Sequence, residues 1–222
     1  MEQGYRHEYK FLIGPDSAQL LKCRLAGVME RDPHAGKSGR YTIRSLYFDD
    51  PGLTAVEDKL SGICDRVKYR IRCYDGKSDF LRLEKKEKHR DLTRKTGQTL
   101  TFEQAQRLCS GTMPAIGEGL LGELSLGMAG GLRPAVLVEY DRTPFVCALG
   151  QTRITLDENI RTKPYSTELF DRSVMLPALE PGQVVLEVKF NDFLPGYLAQ
   201  LLEDIPKIHL AVSKYVLCAN LI

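Results

Sequence analysis

The most regular feature of the chain is an alternation of apolar and polar residues with a period of two, which is typical of β-strands with two unlike faces. Segments of this kind are rich in Val, Ile, Tyr and Phe and are separated by turn residues. We therefore expect a mainly β fold of the α+β class. The predicted strands cover residues 5–13, 40–49, 65–74, 79–88, 135–147, 152–157 and 183–190.

Helical spacing of apolar residues occurs in fewer places. A capping box, Thr101-x-x-Gln104, marks the start of one helix, and Gly111 follows its end. No internal repeat or long linker divides the chain, so residues 1–222 are predicted to form a single domain. The predicted helices cover residues 16–31, 102–110 and 196–204, the residues after Ser213, and part of a glycine-rich helix–loop insert over residues 111–131.

The bulk composition excludes several classes of protein. With 31 Lys and Arg against 29 Asp and Glu, the net charge of +2 is too small for a nucleic-acid or membrane binder that acts through bulk charge. No apolar run approaches the ~18 residues that span a bilayer. The N-terminus also lacks the basic-then-apolar order of a secretory signal. We expect a soluble, cytoplasmic protein.

The six cysteines and four histidines do not form a metal-binding pattern, because the cysteines are scattered and the histidines do not cluster with them. A zinc site is therefore not expected, and the cysteines are predicted to be reduced thiols. Cys147 lies in an apolar stretch, which favours a place in the core over a nucleophilic role.

The placement of charge is more informative than its sum, because alternate residues of a strand share one face. The charged faces of the predicted strands carry twelve basic groups against four acidic ones, a surplus that exceeds the +2 of the whole chain. Basic residues are therefore gathered on one side of the sheet. They are Arg6, Lys10, Arg66, Lys68, Arg70, Arg72, Arg82, Lys86, Lys88, Arg142, Arg153 and Lys189, and the acids are Glu8, Glu84, Asp157 and Glu187.

Two interpretations of these basic faces remain open. An antiparallel sheet with one solvated face shows the same alternation, so each row could be ordinary wet surface. Cations two residues apart on a strand are ~7 Å apart, and they repel by roughly 2 kcal/mol at an effective dielectric constant of about 20. Repetition of one sign over several strands therefore favours a bound anion. If the sheet closes, the basic faces line a tunnel suited to a linear polyphosphate with a divalent metal.

Eight short motifs, each weak alone, follow one another along the chain. They are Arg6-x-Glu8-x-Lys10-Phe11, Ser45-Leu46-Tyr47-Phe48-Asp49, Lys68-x-Arg70-x-Arg72, Glu84-x-Lys86-x-Lys88, Tyr140-x-Arg142, Arg153-x-Thr155-Leu156-Asp157, Leu186-Glu187-Val188-Lys189-Phe190 and Ser213-Lys214-Tyr215. In this order they resemble the catalytic domain of the vacuolar transporter chaperone (VTC) family, the polyphosphate polymerase branch of the triphosphate tunnel metalloenzymes. The resemblance runs from about residue 5 to residue 217.

The resemblance implies a closed antiparallel β-barrel tunnel with flanking helices. It also implies transfer of the γ-phosphate of ATP, or of another nucleoside triphosphate, onto inorganic polyphosphate with Mn²⁺ or Mg²⁺ as cofactor. The residues that it assigns to catalysis are Lys10, Arg70, Arg72, Lys86, Arg142, Arg153 and Lys214. Those assigned to further phosphate binding are Lys68, Lys88, Lys189 and Ser213, and the metal carboxylates are Glu187 with Glu8 and Glu84 as helpers.

Ordinary structural roles remain open for several residues of these motifs. Ser213 could simply cap the last helix, and Glu187 could pair with a neighbouring cation instead of a metal. Asp157 is more typical of a turn or a strand end than of a ligand. Tyr47 and Tyr140 are expected to be packing groups.

The first motif departs from that of the related CYTH hydrolases, which open with Glu-x-Glu-x-Lys, because Arg6 replaces the first acid. This replacement fits the polymerase branch and leaves fewer carboxylates for a metal. The phosphate-sensing domain and the membrane segment of the eukaryotic relatives are not expected here. Membrane association and coupling of synthesis to transport would therefore require membrane-protein partner chains.

Three functions are consistent with this pattern: polyphosphate synthesis, hydrolysis of a triphosphate on the same scaffold, and a non-catalytic polyphosphate-binding module. A terminal polyphosphate oxygen is already anionic and needs no general base, whereas a hydrolase must orient water. The sequence contains no unique candidate for that base, which favours transfer. The basic faces lack the interleaved aromatic residues that base stacking would use, so no nucleic-acid partner is expected.

Overall fold

The computed structural model describes most of the chain, and Arg6 of the first motif lies outside the described residues. Two compact units are present, and each combines segments that are distant in sequence. A single domain over residues 1–222 stays a prediction. The described residues are 7–89, 92–112, 117–171, 173–209 and 213–222. Unit 1 is drawn from Met1–Tyr41, Tyr140–Ile160 and Leu179–Ala211, and unit 2 from Thr42–Glu139, Arg161–Ala178 and Val212–Ile222.

Each predicted strand and helix has a counterpart, with most ends shifted by a few residues. The strand predicted over 152–157 is longer than expected, and the first two residues of the strand predicted over 5–13 lie outside the described residues. The strands are β1 (His7–Ile13), β2 (Glu30–Arg31), β3 (Tyr41–Asp49), β4 (Arg66–Tyr74), β5 (Leu81–His89), β6 (Leu92–Leu100), β7 (Arg133–Cys147), β8 (Thr152–Thr162), β9 (Leu176–Pro177), β10 (Val184–Phe190) and β11 (Ile208–His209). The α-helices are α1 (Pro15–Val28), α2 (Thr54–Leu60), α3 (Phe102–Cys109), α4 (Gly119–Ala129), α5 (Gly196–Glu203) and α6 (Lys214–Ala219). Among the described residues, the strands and α-helix that were not predicted are β2, β6, β9, β11 and α2.

The sheet of unit 1 is antiparallel. β1 pairs with β10 and β11, β10 pairs with β8, β8 lies beside the second half of β7, and β2 pairs with that half. On β10, the alternate residues Val184, Leu186 and Val188 enter one apolar core with Leu21 of α1 and Leu198 of α5. The period-two pattern of β10 thus directs one face of the strand towards helices and leaves its charged residues on the other.

The sheet of unit 2 is also antiparallel, with β4 between β3 and β5, β6 beside β5, and the first half of β7 beside β3. Its apolar face, which includes Ile71 and Leu83, packs on Leu108 of α3 and Leu121 and Leu124 of α4. The predicted mainly antiparallel β fold with flanking helices is therefore confirmed. Closure of the sheet into a tunnel stays a prediction.

Helix α3 begins at the predicted capping box. The Thr101 hydroxyl accepts a hydrogen bond from the backbone N–H of Gln104 at 3.2 Å, and the Gln104 side chain accepts one from the Thr101 N–H at 2.9 Å. We expect Thr101→Ala to lower the free energy of unfolding by about 1 kcal/mol. Urea denaturation would measure this loss, and Thr101→Ser should retain most of the stability. An unchanged free energy in Thr101→Ala would contradict the prediction.

The cysteines are all free thiols, as predicted. Burial raises the pKa of Cys73 and Cys218 to about 12 and that of Cys109 to about 11. Cys147 is half-buried and packs against the core of unit 1. Among the described residues, no three His, Cys, Asp or Glu side chains are grouped as a metal site would require.

None of the helices in the described part of the chain is both long enough and apolar enough to cross a membrane.

Candidate functional site

The central residues of the charged strand faces are buried in both units. Arg72 and Arg142 are each 7% exposed, Glu187 is 5% exposed and Glu84 is 2% exposed. A solvated sheet face would leave such side chains in water. The interpretation of these rows as ordinary wet surface is therefore wrong for their central residues. We describe the charged group of each unit separately, as cluster 1 in unit 1 and cluster 2 in unit 2.

Cluster 2 is built by the register of four strands. Tyr47, Arg70, Glu84 and Gly97 stand opposite one another on β3, β4, β5 and β6, and they form one row. Lys68, Lys86 and Lys95 form the next row on β4, β5 and β6, and Ser45, Arg72 and Arg82 form the row on the other side. Side chains opposite one another in a sheet lie on one face, so the register brings the cations of three strands together.

Glu84 holds the centre of cluster 2. Its carboxylate accepts a hydrogen bond from Arg70 Nε at 2.7 Å and lies 2.5 Å from Lys95 Nζ and 3.7 Å from Arg72 Nη1. Burial alone would raise the pKa of Glu84, but these three cations together lower it well below its usual value. The carboxylate is therefore charged at neutral pH and orients basic side chains, and a helper role of Glu84 in metal binding stays a prediction. The proposed helper role of Glu84 in orienting cations is the one that its geometry supports.

Helix α6 contributes an aromatic wall to cluster 2. Tyr215 stacks on Tyr47 with 4.7 Å between ring centroids, and its hydroxyl donates a hydrogen bond to Asp49. Lys68 Nζ lies 4.5 Å from the centroid of the Tyr215 ring. Burial, together with the nearby charge of Arg66, lowers the pKa of Lys68 to about 8. Tyr47 is thus more than a packing group, because it also accepts a hydrogen bond from Arg70 Nη1 at 2.7 Å.

The other predicted residues of unit 2 take positions around this centre. Lys88 stands opposite Arg66, one row beyond the three lysines. Ser213 is the N-cap of α6, and its hydroxyl accepts a hydrogen bond from the backbone N–H of Val216 at 3.4 Å. Lys214 is the first residue of the same helix and is half-buried. The capping role of Ser213 is therefore confirmed, and phosphate binding by Ser213 and Lys214 stays a prediction.

Cluster 1 is a three-strand arrangement in which charges alternate. One row contains Lys10, Glu187 and Thr155, and the next contains Glu8, Lys189 and Arg153, on β1, β10 and β8 respectively. Lys10 Nζ lies 3.0 Å from Glu8 Oε1, and Lys189 Nζ lies 2.9 Å from Glu187 Oε2 and 3.8 Å from Glu8 Oε1. Glu187 is therefore paired with a neighbouring cation, and its role as a metal carboxylate stays a prediction.

Arg142 is the most completely held cation of cluster 1. Its Nε and Nη2 both donate to the carboxylate of Asp157 at 2.7 Å, and Nη2 also lies 3.5 Å from Glu187 Oε2. Asp157 is fully buried in the middle of β8, so its assignment to a strand end was wrong. Burial disfavours the charge on Arg142, but Asp157 raises the pKa of this guanidinium well above its usual value.

Arg153 is held from the side by two partners. Its Nη2 donates to Asp32 Oδ2 at 2.8 Å and to the Tyr41 hydroxyl at 3.0 Å. The guanidinium nevertheless remains about one-third exposed, so it has an accessible side. Arg153 is a cation oriented in advance, as recognition of a phosphoryl oxygen requires.

Comparison with known families identifies the chain. A family model described as the VTC domain matches residues 5–222. The chain belongs to the VTC domain family. The resemblance predicted from the eight motifs is therefore confirmed. No curated protein sequence matches this VTC domain.

Solved structures share the fold of this VTC domain at low sequence identity. A proposed adenylyl cyclase from Hippeastrum, with a dominant triphosphatase activity, has a TM-score of 0.61 and 14% identity, covering 98% of this chain and 96% of its own. A proposed adenylate cyclase from Bacillus halodurans has a TM-score of 0.53 and 14% identity, covering 92% and 89% of the two chains. A Pyrococcus horikoshii protein has a TM-score of 0.52 and 12% identity, covering 96% and 98%. These likenesses establish the fold.

The divalent metal implied by the resemblance can be tested against the donors of the VTC domain. Mg²⁺ commonly takes one or two carboxylates together with substrate phosphates. Glu8 and Glu187 fit this pattern, because both approach one cation, Lys189 Nζ. Thr155 stands opposite Glu187, and its hydroxyl is buried with no hydrogen-bond partner among the described residues. This orphaned oxygen offers a further polar contact beside the two carboxylates.

Sequence reasoning missed three side chains of the clusters. Lys95 lies on β6, a strand that the alternation does not predict. Tyr215 was included in a motif without a role, although it stacks on Tyr47. Asp32 precedes β3 in a turn-like stretch, and its contact with Arg153 joins residues that are 121 positions apart. The sequence contains no signal for Asp32, because its burial and its contact with Arg153 are known only from the fold.

Proposed function

We propose that this VTC domain is an ATP-dependent polyphosphate polymerase, which transfers the γ-phosphate of a nucleoside triphosphate onto inorganic polyphosphate. The observation that carries the proposal is cluster 2, where cations from three adjacent strands share one face, largely buried at its centre, around a single carboxylate. Buried arginines held by a carboxylate are oriented before a phosphate arrives, and such preorganisation stabilises charge in phosphoryl transfer. Membership of the VTC family supports the same substrate class.

The cations of each cluster have distinct tasks in this proposal. In cluster 2, Arg70 and Arg72 bind phosphoryl oxygens with their guanidinium groups, while Lys68 and Lys86 neutralise further charge along the chain of phosphates. In cluster 1, Arg142 is fixed by Asp157 and Arg153 by Asp32, so both can orient an anion with little loss of side-chain freedom. Lys10, Lys88, Lys189, Ser213 and Lys214 are proposed as additional phosphate contacts.

Transfer is favoured over hydrolysis by the state of the carboxylates. Glu84 has a strongly lowered pKa, and Glu187 and Asp157 are bound to cations. A carboxylate held in this way is a poor general base for the activation of water. A terminal phosphate of polyphosphate needs no such base. The acceptor is therefore proposed to be polyphosphate itself.

Glu187 and Glu8 are proposed to hold Mn²⁺ or Mg²⁺ together with phosphoryl oxygens. When bound, the ion would neutralise charge on the transferring phosphates. Within cluster 1, Arg142 is proposed to orient phosphoryl oxygens, and Asp157 keeps Arg142 in place. Within cluster 2, Arg70 is proposed to do the same. A cytoplasmic location and membrane-protein partner chains stay predictions.

A second candidate function is hydrolysis of triphosphates. The Hippeastrum structure has the same fold and a dominant triphosphatase activity. The two functions differ in the acceptor of the phosphoryl group, polyphosphate or water. They require the same cations, so products rather than variants distinguish them.

The deciding experiment incubates the purified chain with ATP and Mn²⁺ and resolves the products by gel electrophoresis and ³¹P NMR. A polymerase forms long polyphosphate and releases one ADP for each phosphate residue that is added to the chain. Free phosphate without chains would replace this proposal by the hydrolase. Tight binding of polyphosphate without turnover, and without a requirement for metal, would identify a binding module instead.

The binding of tripolyphosphate should weaken at alkaline pH because of Lys68. The pKa of Lys68 lies at about 8, below its usual value, so this side chain loses its charge as the pH rises from 7 to 9. If only the charged form binds, loss of the Lys68 charge by itself lowers the affinity about tenfold. Burial also lowers the pKa of Lys95 to about 8, and this second loss is common to the wild type and Lys68→Arg. Lys68→Arg stays charged over that range, and its affinity should fall less than that of the wild type. Isothermal titration calorimetry at both pH values tests this, and parallel pH profiles would contradict it.

A further inference from the structure

The ammonium group of Lys189 lies between the two carboxylates of cluster 1 that are proposed to hold a metal ion. This group is 2.9 Å from Glu187 Oε2 and 3.8 Å from Glu8 Oε1, the two carboxylates that fit a divalent ion. Both carboxylates are on the charged face, on neighbouring strands β1 and β10. The side chain of Lys189 is 28% exposed, so its ammonium group can move towards solvent without creating a buried cavity.

Among the described residues, the ion pairs named above for cluster 1 contain equal numbers of cations and carboxylates. The four cations are Lys10, Lys189, Arg142 and Arg153, and the four carboxylates are Glu8, Glu187, Asp157 and Asp32. A divalent ion that enters alone therefore leaves two uncompensated positive charges on a largely buried surface, which is unfavourable. A divalent ion that enters with a triphosphate brings its own negative charge.

We propose that Lys189 is a built-in counter-ion that occupies the metal position between Glu8 and Glu187, so that the metal binds together with phosphate and displaces the ammonium group. This inference rests on the proposed function, because it takes the two carboxylates as the metal ligands. After displacement, the flexible Lys189 side chain is free to contact a phosphoryl oxygen. Lys189 thereby prevents loading of the metal without substrate. It is a positioning residue rather than a catalytic one.

The test measures Mn²⁺ binding directly, through the electron paramagnetic resonance signal of the free ion, without ATP or turnover. We expect Lys189→Met to bind Mn²⁺ alone about tenfold more tightly than the wild type, because one positive charge is removed from the site. Lys189→Arg keeps the charge and should bind Mn²⁺ as weakly as the wild type. Adding Glu187→Gln to Lys189→Met should abolish the gain.

A matched control is available in the same unit. Lys22 forms a comparable half-buried ion pair with Glu158 at 2.6 Å, and Glu158 follows Asp157 on β8 and so lies on the opposite face. Lys22→Met should leave Mn²⁺ binding unchanged. Circular dichroism melting of each variant establishes that it is folded under the conditions of the titration.

The outcomes separate this inference from the proposed function. Equal Mn²⁺ affinity in folded Lys189→Met and wild type, or an equal gain in Lys189→Arg, would overturn the role of Lys189. Calorimetric titration with tripolyphosphate and Mn²⁺ on the same wild-type sample tests the phosphate binding that the proposed function requires. If tripolyphosphate binds and Lys189→Met shows no gain, only the counter-ion inference fails. If tripolyphosphate does not bind, the proposed function fails whatever the behaviour of Lys189.

Discussion

Arg142→Ala is expected to lower the free energy of unfolding by about 3–5 kcal/mol, because it breaks a buried ion pair and leaves one partner behind. Asp157 is fully buried, and both of its carboxylate oxygens accept hydrogen bonds from Arg142 at 2.7 Å. Without the guanidinium, that carboxylate loses both of these hydrogen bonds, so it must stay charged in a buried position or take up a proton. Urea denaturation at pH 7 would measure the loss, and an unchanged m-value would show that the two-state analysis still holds.

Two further variants distinguish the ion pair from simple loss of volume. Arg142→Met with Asp157→Leu replaces both charges by apolar groups, so much of the lost stability should return. Arg107→Ala removes an exposed arginine that pairs with Glu103 on α3, and its effect should stay below about 1 kcal/mol. If Arg142→Ala lowers the free energy of unfolding by as little as Arg107→Ala does, the prediction is wrong, and the charge of Asp157 is compensated by groups other than Arg142.

The strands could be predicted from the sequence because burial of one face imposes a period of two wherever the other face is polar. This condition fails for β6, in which apolar residues stand only at the ends, Leu92 and Leu100. The strand is specified instead by pairing with β5 along its length.

Helix α2 is seven residues long and buries only Val56. Its start depends on the Asp50 side chain, which accepts hydrogen bonds from two backbone N–H groups, and such a turn leaves little trace in hydropathy.

In the candidate site, too, features within one strand could be predicted from the sequence, whereas contacts between strands could not. Alternation within a strand places Arg70 beside Arg72 and Glu187 beside Lys189, so the composition of each charged row could be predicted locally. The partners across strands could not, because they depend on register between distant segments. Asp157 contacts Arg142 only because β8 lies beside β7. For this reason the sequence favours phosphate binding by the cations but does not show which carboxylates hold them and which remain for a metal.

Substitution of Arg70 should affect activity much more than stability. We expect Arg70→Ala to lower the rate of polyphosphate synthesis by about 10²-fold, as the loss of one preorganised charge donor typically does. The free energy of unfolding should change little, because Glu84 keeps Lys95 at 2.5 Å and Arg72 at 3.7 Å as counter-ions. Arg70→Lys keeps the charge but loses the two-pronged contact, so its rate should be intermediate.

Steady-state kinetics on ATP would show which step Arg70 serves. If it stabilises charge that develops during transfer, kcat and kcat/KM fall together in Arg70→Ala; if it only binds ATP, KM rises alone. Tyr47→Phe removes the hydroxyl that accepts a hydrogen bond from Arg70 at 2.7 Å but keeps the stacked ring, so it should show a weaker form of the same change. Full activity in a folded Arg70→Ala protein, with Arg107→Ala as the control, would remove cluster 2 from the reaction. A fall in kcat in Arg70→Ala with unchanged stability would place the reacting phosphates at this guanidinium.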